Sequence, residues 1–393
     1  MKEVVILSAA RTPIGSLLGT LSSLPAPRLG AVAIKAAIER AGIDPAALDQ
    51  VLMGNVLQAG VGQAPARQAM RYAGVPDKVG AITVNKVCGS GMRAIMDGVN
   101  SIKVGEYDMV VAGGMESMSN APHMVPGSRR GTKMGDWKMV DAMIIDGLWD
   151  PYGNKHMGNC GELCAAKYKL TREMQDAFAL ESFNRAKAAI TSGHFKNEIV
   201  AVEIADKKGS KLIDQDENPM SAPLEKMASL KPAFDPNGTI TAANAPPVND
   251  GAAALVIASA DKAKALGKKP LAKIVAQGSF AQEPDWFTTA PSQAAKLALS
   301  RAGLTTKDIG RWEVNEAFAV VAMAFMRDME VDHAKVNVHG GAVALGHPIG
   351  ASGARIVTTL VHELIASKQR YGVAAICLGG GEGTALVIEN LAL

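Results

Sequence analysis

The sequence predicts an α/β protein that contains one folding unit twice. Apolar, β-branched runs alternate with Ala-rich helical runs, the order that builds βαβ units around a parallel sheet. Short patterns from the first third of the chain also return near its end, in the same order. Ser90-Gly91-Met92-Arg93 comes back 262 positions later as Ser352-Gly353-Ala354-Arg355, and Ala41-Gly42-Ile43 comes back 261 positions later as Ala302-Gly303-Leu304. Val84-Asn85 pairs with Val336-Asn337, and Val110-Val111-Ala112-Gly113-Gly114 with Ile376-Cys377-Leu378-Gly379-Gly380. Chance produces one such match but not an ordered series at nearly constant offset. Between the copies, residues 118–248 turn rich in Met, Gly, Pro and charge.

The elements follow in chain order. Met1-Lys2-Glu3-Val4-Val5-Ile6-Leu7 leads straight into a strand. Leu29 to Arg40 reads as a helix that Gly42 closes, and Gln50 to Val56 as a short strand after a polar turn. Ala81 to Val87 is a strand that runs into a helix from Ser90, where Met92, Ile95, Met96, Val99 and Ile102 form one buried stripe. In the insertion, Ser128 to Lys133 reads as an exposed loop. Thr171 to Ile190 reads as a helix with Thr171 as its cap and Glu173 in its first turn. Ala233 to Asp250 reads as loop, punctuated by Pro236, Gly238, Pro246 and Pro247. The second copy gives a helix over Ser292 to Arg301 and a strand over Arg311 to Asn315. Its helix after Gly350 carries the stripe Ile356, Val357, Leu360, Val361 and Leu364, and the strand Val373 to Ile376 leads toward Thr384 to Glu389. The expected division is a first core domain of 1–117 plus 249–270, a loop domain of 118–248 and a second core domain of 271–393.

Composition narrows the function. Hydrophobic residues make up 48% of the 393 and charged residues 20%, and the net charge of +3 is spread along the chain. That balance is globular and argues against a nucleic-acid surface or a polybasic membrane anchor. Basic doublets stand at Arg129-Arg130, Lys207-Lys208 and Lys268-Lys269; most such doublets are solvated turns, though a phosphate-bearing ligand could use one. No apolar stretch approaches the roughly 20 residues needed to span a bilayer, and the N-terminus has no long apolar core or cleavage site. Four cysteines without a CxxC pair do not make a disulfide framework. A reducing, cytoplasmic setting is expected, with Cys160 and Cys164 packed in a core. The seven histidines show no HxxxH-type pair and no carboxylate partner at ligand spacing, so no metal site is expected.

Five segments carry possible chemistry. Cys88 sits where a strand turns into a helix, a place that lowers a thiol's pKa and exposes it for attack. Free cysteine is also among the most buried residue types, so the residue alone decides nothing. His347, in a Gly/Pro turn ahead of the second helix, holds nearly the repeat-equivalent place. Two such turns meeting at a shared face would set an imidazole beside the thiol, the pairing that activates a nucleophilic cysteine. Cys377 closes a strand and runs into Gly379-Gly380-Gly381. Those glycines let a reactant approach backbone N–H groups, as an oxyanion hole requires, or simply make a tight hairpin. Asn315, at a strand end, suits holding a water or donating to an oxygen, or capping backbone. His156-Met157-Gly158 is the fifth, within the insertion.

Together, Cys88-Gly89-Ser90-Gly91, Asn315-Glu316-Ala317-Phe318, Gly346-His347-Pro348 and Cys377-Leu378-Gly379 resemble the four catalytic motifs of the thiolases. The similarity runs from Ser8-Ala9-Ala10-Arg11-Thr12-Pro13 to the C-terminal glycines. The resemblance implies the thiolase fold, two βαβαβαββ halves stacked as α-β-α-β-α layers with an inserted loop domain. It implies acyl transfer on coenzyme A, with the CoA thioester as substrate and no permanently bound cofactor. On the family's pattern, Cys88 attacks a thioester and becomes acylated. His347 takes its proton and then helps hold the second substrate's thioester oxygen, where Asn315 fixes a water. Cys377 removes the α-proton of that second substrate. Backbone N–H groups of Cys88 and Gly379 form the other oxyanion hole, and Glu316 orients the site. Leu148, His156, Met157, Ala242, Ala245 and Phe318 match positions along the pantetheine channel.

His156-Met157-Gly158 resembles the biosynthetic, acetoacetyl-CoA branch of the family. That implies condensation of two acetyl-CoA to acetoacetyl-CoA plus CoA, and the reverse thiolysis. The rival is a degradative member working on longer 3-ketoacyl chains. A ketoacyl synthase has no second catalytic cysteine, so Cys377 argues against it, and retention of all four motifs argues against a silent lipid carrier. The resemblance further implies a homotetramer, a dimer of dimers, with the segment from Ala121 to Lys133 as a tetramer contact. The chain departs from the pattern at two places. Asn244-Ala245-Pro246-Pro247 has proline where the family has a pantetheine-binding serine, and Asn218-Pro219-Met220 stands where an arginine flanks the adenine. Lys226 or Lys231 is the candidate to compensate for it.

Overall fold

The helices and strands expected from periodicity form. The strands expected over Gln50 to Val56 and Ala81 to Val87 end at Gly54 and Val84, and helices at Pro65–Tyr72, Met157–Tyr168 and Ala319–Met329 are additional to those expected. The computed structural model describes residues 1–206 and 209–393, so the Lys207-Lys208 doublet lies outside it. The first half is β1 (Val4–Arg11), α1 (Ala26–Ala41), β2 (Gln50–Gly54), α2 (Pro65–Tyr72), β3 (Gly80–Val84), α3 (Ser90–Val104) and β4 (Met109–Ser117). The insertion contributes α4 (Met157–Tyr168) and α5 (Arg172–Ser192), and β5 (Asn249–Ser259) returns to the first sheet. The second half is β6 (Ala272–Ala281), α6 (Ala290–Ala302), β7 (Arg311–Val314), α7 (Ala319–Met329), α8 (Ile349–Ala366), β8 (Tyr371–Leu378) and β9 (Glu382–Asn390). Each repeated Ala-Gly pair is a helix stop: Gly42 and Gly303 both take the left-handed conformation that closes α1 and α6. Thr171 caps α5 as expected, its Oγ1 accepting from the Met174 N–H at 3.3 Å.

The two halves repeat one strand order. In the first it runs β3-β2-β4-β5-β1; in the second, β7-β8-β9-β6, with Val336 bridging to Trp312 where a counterpart of β3 would lie. The parallel βαβ expectation holds for β2 against β3 and β4, and for β7 against β8. The other pairings are antiparallel. For β9 the cause is local: it follows β8 through a glycine turn, and a parallel neighbour needs a longer crossover.

Alternation along the strands sets the layers. Val5, Leu7, Val51, Met53 and Val111 face α1 and α2. Val4, Ile6, Leu52, Val110 and Ala112 face inward, toward α3 and α8. In the second half, Ile274, Ala374, Ile376 and Leu386 share that inner core, while Trp312, Val314, Val373 and Ala375 face α6 and α7. The stack is therefore α-β-α-β-α, with α3 and α8 in the middle. These two helices meet in backbone contact at the repeated Ser-Gly. A Cβ on Gly91 would lie 2.9 Å from the Ala354 nitrogen, and one on Gly353 would lie 2.5 Å from the Met92 nitrogen. Only glycine allows this crossing, and the crossing brings the turns that precede the helices together. Among the described residues, no helix is long and apolar enough to cross a membrane.

Candidate active site

The turn carrying Cys88 is held in tension. Val87 sits at φ +45°, a conformation a β-branched residue seldom adopts and that costs about 1–3 kcal/mol. Ser90 fixes it: its Oγ accepts from the Lys86 N–H at 2.8 Å and donates to the Val87 carbonyl at 2.6 Å. Gly89 has no Cβ, and Leu378 of β8 packs into that space. The Cys88 sulfur thus faces the Gly379 N–H, which donates to it.

The thiol's acidity differs from the sequence expectation. Burial pushes Cys88 up to about 12, outweighing the Gly379 and Cys88 N–H groups that act the other way. The expected lowering at a helix end does not hold, because lost solvation is the larger effect. At rest the nucleophile is a neutral thiol.

His347 is buried opposite. Its N–H donates to Asn249 Oδ1 at 2.9 Å. The Ser352 hydroxyl donates to the Pro348 carbonyl at 2.9 Å, which leaves its oxygen to accept from His347 Nδ1–H at 2.6 Å. The free lone pair is therefore on Nε2, which has no partner among the described residues. Burial, and then the charge of Arg355, push His347 down to about 3. The imidazole is uncharged at neutral pH and offers a bare Nε2 as base.

Cys377 lies wholly buried at the end of β8, in a core with Met157, Ala245 and Phe318. Burial first, and the neighbouring Cys88 second, hold its thiol well above the ordinary value, so the two sulfurs sit within electrostatic reach. Asn315 is buried with both atoms of its side-chain amide unpaired among the described residues. Its backbone is tied, the N–H to Ala375 and the C=O to Ala317. A buried amide left free at both ends is poised for a water or a substrate oxygen. Glu316 accepts from Asn337 Nδ2 at 2.8 Å, Ser182 Oγ at 2.8 Å and the Val343 N–H at 3.0 Å. It locks the loop that carries Asn315.

Two residues of the site escaped the sequence reading. Ser352 was visible only as half of a repeated Ser-Gly. Glu116, a charged residue in the apolar strand β4, accepts from Asn55 Nδ2 and the Leu57 N–H on one oxygen and from the Val56 and Gly350 N–H groups on the other. It joins the first half to the start of α8, three residues after His347.

Cys88, His347 and Gly379 open on one cavity of about 270 Å³, lined by Leu148, His156, Met157, Ala245 and Phe318. His156 caps α4, its Nδ1 accepting from the Gly158 N–H at 3.0 Å, and stacks on Phe234. Ile144–Leu148 forms a π-turn on the opposite wall. Pro246 and Pro247 line the same cavity, so the departure from serine makes that stretch apolar. Asn315 and Cys377 are not on its lining. Ala242 is placed elsewhere, in an adjoining cavity of about 320 Å³ with Asn218, Ser221 and Lys226. Pro247 borders both cavities. Lys231 is exposed and lines neither, and Met220 is exposed.

A thiol, an uncharged imidazole and an N–H donor on one apolar channel, with a second thiol buried behind its lining, define an acyltransferase that works through an acyl-cysteine. Comparison with known proteins gives the family. Residues 4–261 match the thiolase N-terminal domain and residues 268–390 the thiolase C-terminal domain. The chain is 52% identical to an acetyl-CoA acetyltransferase of Cupriavidus necator, over 99% of this chain and 100% of that one. It is 51% identical to a cytosolic acetyl-CoA acetyltransferase of Gibberella zeae, over 100% and 99% of the two chains. A solved thiolase from Ascaris suum, in complex with coenzyme A, superposes with a TM-score of 0.94 at 46% identity, covering 99% of this chain and 100% of that one. The chain belongs to the thiolase family.

Proposed function

We propose that the protein is an acetyl-CoA C-acetyltransferase, which condenses two acetyl-CoA to acetoacetyl-CoA plus CoA and catalyses the reverse thiolysis. The carrying observation is that Cys88, His347 and Gly379 share one cavity, in a chain about half identical to proteins named acetyl-CoA acetyltransferase. Cys88 Sγ attacks the thioester carbonyl while its proton passes to His347 Nε2. The N–H groups of Cys88 and Gly379 hold the oxyanion. The carbonyl re-forms, the C–S bond to CoA breaks, and Cys377 gives its proton to the departing sulfur. Cys377 is now a thiolate whose buried setting makes it strongly basic, which suits the weakly acidic α-proton of the second acetyl-CoA. His347 Nε2–H and a water on Asn315 hold the resulting enolate oxygen. The carbanion attacks acetyl-Cys88, acetoacetyl-CoA leaves, and the Cys88 sulfur recovers its proton from His347.

The pantetheine arm fits the cavity walled by Leu148, His156, Met157, Ala245 and Phe318, with Ala242 and Lys226 on the nucleotide side. Residues 118–248 serve as an inserted lobe that builds this channel and an oligomer contact. The exposed Met134, Trp137 and Met139 and the half-exposed edge strand β3 support a tetramer. A cytoplasmic location follows the relative named cytosolic. Turnover on acetoacetyl-CoA against 3-ketooctanoyl-CoA tests the acyl range, and a strong preference for the longer chain overturns it. Intact mass after incubation with acetyl-CoA tests the mechanism: an acetyl group must appear on Cys88. Gel filtration returning a monomer would remove the tetramer.

A further inference from the structure

We propose that His194, His339 and Glu363 form a binding site for one divalent metal ion of the zinc class, separate from the active-site cavity. The three come from distant segments, the turn after α5, the loop before His347 and the last turn of α8. Their ligand atoms lie within 4.8 Å of one another. None of the three lines the cavity that holds Cys88.

The geometry is that of a partly assembled two-histidine, one-carboxylate set. His339 Nε2 lies 2.6 Å from Glu363 Oε2, and His194 Nε2 lies 3.5 Å from the same oxygen. Ligand atoms around a tetrahedral zinc, with bonds of about 2.0–2.1 Å, stand about 3.3 Å apart, between these two values. The imidazoles are stacked with centroids 3.5 Å apart and tilted by 31°, so both rings reach the carboxylate from one side.

The arrangement leaves His194 Nε2 buried and unpaired among the described residues. With a proton, it is too far from Oε2 for a good hydrogen bond. Without one, its lone pair faces a carboxylate oxygen. A cation between them satisfies it in either case. The supports a metal ligand needs are present as well. Arg311 Nε holds Glu363 Oε1 at 2.6 Å, which leaves Oε2 as a single-oxygen ligand. The Phe195 ring stands edge-on to both imidazoles, an apolar wall on one side. The His194 and His339 side chains keep 18% and 21% of their surface, enough for an ion to enter and keep a water. Ligand-spacing rules miss this set because its members lie 145 and 24 positions apart.

The test is zinc binding by the chelator-treated full-length protein in a Cys88→Ser background, so that the nucleophile does not compete. Calorimetry and metal analysis after dialysis should give one zinc per chain, and zinc should raise the melting temperature. His194→Ala and His339→Ala should each weaken binding at least a hundredfold and abolish the rise. Arg311→Lys should weaken it by about 10–100-fold. His194 sits on a half-exposed turn, so its variant should fold. Bound cobalt should show no sulfur-to-metal charge-transfer band, which excludes the remaining thiols. Failure of the wild-type site to retain zinc, or retention unchanged in both histidine variants, overturns the proposal and leaves the cluster as an ion pair. Neither result touches the acyl-transfer reading.

Discussion

Ser352→Ala isolates the feature that makes His347 a base. In the wild type, the hydroxyl is committed to the Pro348 carbonyl, so its oxygen fixes the imidazole proton on Nδ1 and the lone pair on Nε2. Without that oxygen, Nδ1–H becomes a buried donor with no partner, at a cost of about 1–3 kcal/mol. Nε2 has no partner either, so a change of tautomer gives no relief. The ring relieves the cost by turning Nδ1–H toward a water or another acceptor, which takes Nε2 out of line with Cys88. At about 1.4 kcal/mol per factor of ten, the competent population falls by roughly 5- to 150-fold. The assay is rapid-quench, single-turnover acetylation of Cys88 by acetyl-CoA, which separates acylation from condensation. The acylation rate should fall by that factor with little change in substrate affinity, and Ser352→Thr should restore most of it. The pH profile adds a second check. His347 is lowered from 6.5 to about 3, chiefly by burial, so its imidazole is unprotonated at every pH above about 3. Wild-type acylation should therefore show no histidine inflection between about pH 5 and 8. A folded Ser352→Ala enzyme that acylates at the wild-type rate, or a wild-type inflection near 6.5, refutes the assignment.

Asn315→Ala removes a buried amide with no partner among the described residues. The melting temperature should hold or rise, the acetylation burst should survive, and condensation should fall by about 10²–10³; loss of the burst would count against its role. Lys226→Ala should raise KM for acetyl-CoA without changing it for acetyl-N-acetylcysteamine, which lacks the nucleotide; an equal effect on both sinks the nucleotide-side placement. Glu116→Gln puts an NH₂ group against two N–H donors where the carboxylate accepts from four. It should lower stability by about 2–5 kcal/mol and slow acylation, read from urea midpoints and burst rates; a neutral result would mean the clamp does not matter.

The layers of this protein were legible because each element announces itself locally. The Ala-Gly stops, the buried stripes of α3 and α8 and the alternation in the strands are short-range signals, and the repeat supplied their long-range pairing. The meeting of Cys88 with His347 was legible for the same reason: equivalent turns in a duplicated fold meet near the pseudo-symmetry axis. What could not be read were properties of a closed interior. The Cys88 acidity depends on how much water is excluded, which no neighbouring residue states, and so the local expectation ran in the wrong direction. Glu116 acts through Gly350, across the halves, and Ser352 through a tautomer. Ala242 lines the adjoining cavity rather than the one with Cys88, since matching a motif position does not fix which side of Pro247 the chain passes.

On the mechanism proposed above, none of the three reacting groups is charged at rest. Cys88 is raised to about 12, His347 is lowered to about 3, and Cys377 is raised well above its ordinary value, each chiefly by burial. An ion pair in so apolar a cavity would need to recover a desolvation penalty of several kcal/mol per ion before any substrate arrived. Keeping the proton on sulfur until the thioester is bound avoids that penalty. On the proposed mechanism charge then develops only in the transition state, and the Gly379 N–H, which rests on the neutral Cys88 sulfur, turns to the new oxyanion without first binding a thiolate tightly. The same burial that makes Cys377 a poor acid makes its conjugate thiolate a strong base, available only after CoA has taken its proton. On that mechanism acylation prepares the base for condensation, and the order of the two half-reactions follows from where water is excluded.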